Sequence, residues 1–138
     1  MFKVLAVDHI GIAVKDLEEG KNFWSDVIGI PCTAEETVAE QKVTTTFHPT
    51  PNKSEIELLV GTADDSPITK YIEKKGEGIQ HIALRVDNIE NAIADLMAKG
   101  VKMIDEKPRY GAGGAKIAFL HPKSTKGVLL EICEHEDR

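Results

Sequence analysis

One segment of this chain occurs twice, and that repeat limits what the chain can fold into more than any other feature. DHIGIAVKDLEEGKNFW (Asp8 to Trp24) and QHIALRVDNIENAIADL (Gln80 to Leu96) share one plan: a histidine opens a short apolar strand, a polar cap follows, and an amphipathic helix begins. The histidines, His9 and His81, lie 72 positions apart. Near the end of each half a second strand carries a glutamate, Glu57 in EIELLV and Glu131 in VLLEIC, 74 positions apart. A repeat that keeps its histidine and its carboxylate, and not only its apolar residues, points to a shared metal site at the junction of the halves.

The two-residue period of a strand puts His9, Gly11 and Ala13 on one face and Ile10, Ile12 and Val14 on the other. In the counterpart, His81, Ala83 and Arg85 share a face opposite Ile82, Leu84 and Val86. The apolar faces want helices against them, and the small residues beside each histidine leave room for a ligand. Asp16 is the predicted cap of the first helix, with Glu19 completing a capping box. Leu17, Gly20, Trp24, Val27 and Ile28 form its inward stripe, up to a stop at Gly29. Asn88 caps the second helix, whose stripe is Ile89, Ala92, Ile93, Leu96 and Met97 and whose stop is Gly100. A short linking helix is predicted from Ser66-Pro67 to Gly76. Strand-like runs fill the rest: Ile30 to Ala34, Gln41 to His48 and Glu55 to Val60, then Val101 to Lys107, Lys116 to His121 and Val128 to Glu134. Each half therefore reads β-α-β-β-β. One such unit leaves its sheet half uncovered, so an α+β fold of two paired units is expected. The 138 residues are read as a single domain, 1–138, with module one at about 1–62, the linker helix at about 66–76 and module two at about 79–135.

A carboxylate among the apolar neighbours of a central strand is costly unless something compensates it. Two neutral imidazoles and two carboxylates balance one divalent cation. Their mixed nitrogen and oxygen donors suit cobalt, manganese, zinc, nickel or ferrous iron better than calcium. His9, Glu57, His81 and Glu131 are therefore the predicted ligands, and on a six-coordinate ion they leave two positions for water or a chelating substrate. Glu55 lies close to Glu57 and competes with it for the inward place. His48, His121 and His135 have no repeat partner. The first two precede prolines at strand ends and read as turn or rim residues, while His135, in the charged tail EHEDR, reads as exposed. The glycines of YGAGGA (Tyr110 to Ala115) let backbone approach a ligand closely. Lys116, Lys123 and Lys126 cluster around the strand and turn that follow, where a phosphorylated ligand can use them. Gly113, Gly114, Lys116 and Lys123 are the candidate substrate-binding residues. A net charge of −6 argues against a nucleic-acid partner. No apolar run approaches the roughly 18 residues of a membrane span. Cys32 and Cys133 match no metal or redox spacing, which makes the cytoplasm the expected setting.

Three strings carry a family resemblance: DHIGIAVKDL; IELL followed by DDSPITKYIEKKGEGIQHIALRVDNI; and GAGGAKIAFLHPKSTKGVLLEI. They resemble the vicinal-oxygen-chelate (glyoxalase I-like) superfamily and, within it, the methylmalonyl-CoA epimerase family, over nearly the whole chain. The resemblance implies two tandem modules forming a curved, mostly antiparallel sheet around a metal-binding cleft, with helices packed outside, in a homodimer. It implies an isomerase that interconverts (2R)- and (2S)-methylmalonyl-CoA by α-proton abstraction and reprotonation through a metal-stabilised enolate. It also implies one divalent ion at His9, Glu57, His81 and Glu131, cobalt preferred, with manganese, nickel, zinc or magnesium as alternatives. Some relatives carry glutamine at the Glu57 position, so the glutamate here adds negative charge that holds the cation more tightly and weakens its Lewis acidity. Inversion needs an acid/base group on each face of the substrate. Glu131 is the expected catalytic one, doubling as a ligand. Where some relatives have a second glutamate, matching register puts Thr45 here; threonine is no base at neutral pH, so Glu40, Glu57 or a bound water takes that role. The rivals are a glyoxalase I-type lactoylglutathione lyase with the same ligands, an extradiol-type dioxygenase using His9, His81 and Glu131 on iron, and a non-catalytic small-molecule binding protein of the same fold.

Overall fold

A computed structural model describes residues 1–136; Asp137 and Arg138, where the predicted domain and the EHEDR tail end, lie outside the described residues. The chain divides into two compact units, and the division falls inside the first strand, β1 (Val4–Ala13). The first unit is His9–Gln80; the second joins Met1–Asp8 to the chain from His81 onward.

In the first unit β1 is followed by α1 (Leu17–Lys21), then β2 (Ala34–Val38), β3 (Val43–Pro49), β4 (Glu55–Gly61) and α2 (Pro67–Lys75). The strands lie in the order β2-β3-β4-β1, antiparallel except for the parallel pair β1–β4. As predicted, the Asp16 side chain caps α1 by accepting from the Glu19 backbone N–H at 3.1 Å. The helix then widens into a π-helical turn, Asn22–Val27, before Gly29 ends it at φ +93°. This end of the predicted stripe is a correction: Val27 and Ile28 are exposed, at 65% and 50%. The wider turn rotates them away from the sheet, because the fixed 100° step of an α-helix no longer applies. β2 also starts later than the predicted Ile30. Residues 30–32 are spent closing the helix end instead: the Ile30 N–H donates to the Trp24 carbonyl and the Cys32 N–H to the Ser25 hydroxyl, while Pro31 has no N–H for a ladder, and the Thr33 N–H is the first to reach β3, at the Phe47 carbonyl. On α2, Ser66 caps by accepting from the Ile68 N–H, Pro67 opens the helix, and Gly76 closes it, as predicted. The helix places Ile68 against Ala13, Val43 and Leu59, with Val38, Tyr71 and Ile72 at the margin.

The second unit contains β5 (Gly78–Val86) from His81, α3 (Ile89–Ala98), β6 (Arg109–Tyr110), β7 (Lys116–Leu120) and β8 (Leu130–Glu134). Their order is β5-β8-β7-β6, with β5–β8 parallel and the other pairs antiparallel. The β-α-β-β-β plan of the first unit thus recurs, and both units are α+β with mostly antiparallel pairing. Asn88 caps α3 by accepting from the Asn91 N–H, and Glu134 accepts from the Ile89 N–H, so two of the four orphan donors at this helix start are satisfied. Ile89, Ala92 and Ile93 pack with Val86, Met103, Ala118, Leu120 and Ile132 to form the core, and Phe2 joins it. Met97, predicted inward, is 42% exposed at the end of the helix. The predicted strand Val101 to Lys107 is reduced to a single bridge, Met103 to Leu120, before the two-residue β6. The Ile104 and Asp105 N–H groups both donate to one carbonyl, that of Phe119, which breaks the alternation of a ladder. Among the described residues, no helix is long and apolar enough to cross a membrane.

Candidate metal centre

Each unit places one histidine and one glutamate by the same strand geometry. In the first, β1 and β4 run parallel with Gly11 opposite Glu57 and Ala13 opposite Leu59. Residues opposite each other share a face, so His9, Gly11, Glu55 and Glu57 are on one side of the pair. Gly11 has no side chain to block the Glu57 carboxylate, whose Oε2 lies 3.2 Å from Nδ1 of His9. In the second unit Ala83 stands opposite Glu131, and the carboxylate Oε1 lies 3.4 Å from Nε2 of His81, two residues upstream of Ala83. All four side chains are buried. Glu57 and not Glu55 is the buried carboxylate of its strand, which places the two competing residues.

These separations bear on what the pairs can hold. Charge-assisted hydrogen bonds are tight, ~2.7–2.9 Å. Spacings of 3.2 and 3.4 Å are those of neighbouring donors that each stand ~2.1 Å from a common ion. A neutral imidazole beside a buried carboxylate also leaves a net negative charge in a poorly solvated place, which a cation offsets. Each unit therefore supplies two donors of the kind a divalent metal takes. The His81 ring is fixed from the side by Phe119, edge to face with centroids 5.6 Å apart.

The other predicted residues are placed as follows. Thr45 is buried, on the same face as Glu57, because it stands opposite Leu59 while Phe47 stands opposite Glu57. Across β2 the register brings Glu36 opposite Thr45, a carboxylate that the sequence reading did not single out. The strand boundary, placed too early, hid it. Glu40 is exposed in a short turn after β2. Gly113 and Gly114 form a tight turn at φ +73° and +75°, a conformation that favours glycine. Lys116 belongs to the other face of β7 from Phe119, and its ammonium lies 3.2 Å from Glu90 on α3. That carboxylate raises the lysine pKa, and the lysine in turn helps lower that of Glu90, after the backbone hydrogen bond at the helix start. Lys123 is exposed in the turn after β7.

The remaining histidines separate cleanly. His48 is a correction: it is fully buried on β3 and not at a rim. Its Nδ1 lies 2.9 Å from the Ile30 carbonyl, which can only accept, so Nδ1 carries the proton and Nε2 accepts from the Thr46 hydroxyl at 3.0 Å. His121 is a turn residue as predicted, its Nδ1 accepting from the Lys123 N–H. His135 is a second correction. Its Nε2 lies 2.9 Å from Asp8 Oδ1, the oxygen that also accepts from Nε of Arg85 at 3.0 Å. Asp8, Cys133 and His135 are close enough to suggest a second ligand group. Arg85 already supplies the positive charge there, and burial pushes the Cys133 thiol well up, so the cluster reads as a structural ion pair.

Comparison with known proteins adds the family. Residues 8–119 match the Glyoxalase/Bleomycin resistance protein/Dioxygenase superfamily. The mitochondrial methylmalonyl-CoA epimerase of Dictyostelium discoideum is 40% identical over 129 residues, covering 93% of this chain and 77% of that protein. The crystal structure of methylmalonyl-CoA epimerase from Mycobacterium tuberculosis matches with a TM-score of 0.91 at 33% identity, over 95% of this chain and 88% of that one. A methylmalonyl-CoA epimerase in complex with methylmalonyl-CoA and NH4+ matches with a TM-score of 0.88 at 33% identity, over 98% and 97%. The repeated strand-borne His/Glu pair and a likeness that runs almost end to end lead to one conclusion: the chain belongs to the Glyoxalase/Bleomycin resistance protein/Dioxygenase superfamily, and within it to the methylmalonyl-CoA epimerases.

Proposed function

We propose that the protein interconverts (2R)- and (2S)-methylmalonyl-CoA, and that His9, Glu57, His81 and Glu131 hold one divalent cation for that reaction. The observation that carries the reading is the duplicated pair: a buried imidazole beside a buried carboxylate in each unit, opposite Gly11 in one and Ala83 in the other. Relatives named for this reaction support it. Cobalt is the preferred ion, and manganese, nickel, zinc or magnesium suit the same donors. When bound, the cation supplies positive charge against the negative charge that builds on the thioester oxygen as the α-proton leaves.

The chain's own residues supply position and proton transfer. Glu131 serves one face of the α-carbon, taking the proton in one direction of the reaction and delivering one in the other, while a second group serves the opposite face; its burial between Ala83 and Phe119 keeps bulk water from competing for that proton. Phe119 holds the His81 ring in place. Thr45 offers no group that accepts a proton at neutral pH, and Glu36, opposite it, is the nearest carboxylate by register on the neighbouring strand. We read the whole chain as one functional domain and as a protomer of a cytoplasmic homodimer, with an acyl-CoA and no nucleic acid or membrane as its partner. The exposed apolar run Val4, Leu5 and Val7 supports a surface that a second copy covers.

The test follows α-proton exchange of methylmalonyl-CoA in heavy water by NMR, with cobalt-loaded and chelator-stripped protein. Metal-dependent deuterium entry with loss of chirality is expected, and Glu131→Gln should slow it about 100-fold or more. No exchange by fully metallated protein would sink the reading and direct attention to a glutathione hemithioacetal as substrate.

A further inference from the structure

We propose that Arg109 is an anion-binding residue of this site, its guanidinium taking a negatively charged oxygen group of the thioester substrate, a carboxylate or a phosphate. The proposal rests on the thioester reading above and adds a residue that neither the repeat nor the metal chemistry identifies.

Strand register places it. Arg109 stands opposite Ile117, Ile117 opposite Cys133, and Phe119 opposite Glu131. Arg109, Phe119 and Glu131 therefore share one face of the second unit, the face that also carries His81. The guanidinium carbon lies 5.6 Å from the centre of the Phe119 ring, and that same ring meets the His81 imidazole at 5.6 Å. One aromatic side chain thus separates a fixed cation from a candidate metal ligand.

The cation is also aimed. Nε of Arg109 donates to Asp105 Oδ1 at 3.2 Å, while Asp105 Oδ2 accepts from the backbone N–H of Phe119 at 2.9 Å. Asp105 is anchored to the residue whose ring faces the guanidinium, so the arginine is held from two sides. With Nε engaged, the two Nη groups form the remaining fork, which matches a planar carboxylate or a phosphate edge. Among the described residues, Asp105 is the one carboxylate paired with Arg109, whose side chain stays 43% exposed, enough for a ligand to reach it.

A purely structural role accounts for less. β6 is two residues long and both are exposed, and an exposed ion pair is worth roughly 0–1 kcal/mol. Such a pair does not require a guanidinium held over the ring that positions His81. Lys116, the cation expected here from sequence, faces the other way and is taken by Glu90.

The experiment is a calorimetric titration of cobalt-loaded protein with two racemic ligands that share an acyl group: methylmalonyl-CoA, and methylmalonyl-pantetheine, which lacks the phosphates. Arg109→Met keeps an apolar stem for Phe119 and removes the charge. A tenfold or greater loss of affinity for both ligands assigns the acyl carboxylate, and a loss confined to the CoA thioester assigns a phosphate. Arg109→Lys should recover part of either, since it restores charge without the fork. Unchanged affinity for both ligands overturns the proposal; so does wild-type protein that binds neither, or a loss of binding that merely follows a loss of cobalt. Heavy-water exchange by the wild type is scored separately. Binding that depends on Arg109 without any exchange would retire the epimerase reading and leave the anion site standing.

Discussion

Asp8 and Arg85 are both buried. Asp8 Oδ1 accepts from Nε of Arg85 at 3.0 Å and stands 2.9 Å from Nε2 of His135, so removing the carboxylate takes the paired anion from a buried guanidinium. Breaking one side of such a pair costs about 3–5 kcal/mol, far more than the intact pair contributes over an apolar replacement. Asp8→Ala should therefore lower the unfolding free energy by that amount, seen as a lower urea midpoint at unchanged slope, and Arg85→Met in the same chain should restore part of the loss. A change below about 1 kcal/mol would mean that the guanidinium finds solvent once its partner is gone. The same residue-level logic sorts the histidines: His48 is satisfied by a carbonyl and a hydroxyl, His135 by a carboxylate, while His9 and His81 each sit beside a buried glutamate across from a residue too small to interfere.

At the scale of elements, the junction of β4 and α2 leaves little room for change. A Cβ added at Gly61 would stand 2.0 Å from Thr69 Oγ1 and within 2.9 Å of the Ser66 side chain. Ser66 caps α2, so the clash also disturbs the cap. Gly61→Ala should cost about 1–3 kcal/mol by thermal or urea unfolding. Gly111→Ala should cost less, because its Cβ would stand 2.8 Å from Cδ1 and 3.1 Å from Cγ2 of Ile117, a milder overlap than the 2.0 Å at Gly61. These contacts are invisible in sequence, where Gly61 is simply the residue after a strand. What sequence does carry are the periodic and capped elements. Asp16, Ser66 and Asn88 cap the helices they were expected to cap, and β4 and β7 begin where predicted, because each such signal is local. The failures are nonlocal. β2 starts late because Trp24 and Ser25 capture the backbone of Ile30 and Cys32, and the strand before β6 dissolves because two N–H groups converge on the Phe119 carbonyl. Arg109 was missed for that reason: in a predicted coil its face is undefined, and only the pairing with Ile117 assigns it one. The two His/Glu pairs were legible because duplication repeats chemistry as well as shape, so each histidine and glutamate had a counterpart to vouch for it.

At the scale of the whole molecule, the donor count makes the cation a test of how the repeat works. Each unit by itself offers one imidazole and one carboxylate, two donors where a transition metal takes at least four. One ion shared by the repeats satisfies that need with four protein donors; a separate ion on each pair leaves both under-coordinated. The two arrangements differ in stoichiometry and in thermodynamic linkage. A ligand that binds only the folded chain stabilises it by about 2.7 kcal/mol at a free concentration 100 times its Kd, which for a domain of this size is a rise in Tm of roughly 10 °C. Wild-type protein should bind one cobalt per chain and show such a rise, reversed by a chelator. With a shared ion, Glu57→Ala and Glu131→Ala should each abolish most of the rise and most of the bound cobalt, although they lie in different units. With separate ions, wild-type protein would hold two cobalt ions per chain, and each variant would keep one of them together with part of the rise. Metal content by elemental analysis, read beside the melting curves of the two variants, therefore decides whether the duplicated modules serve a single catalytic ion.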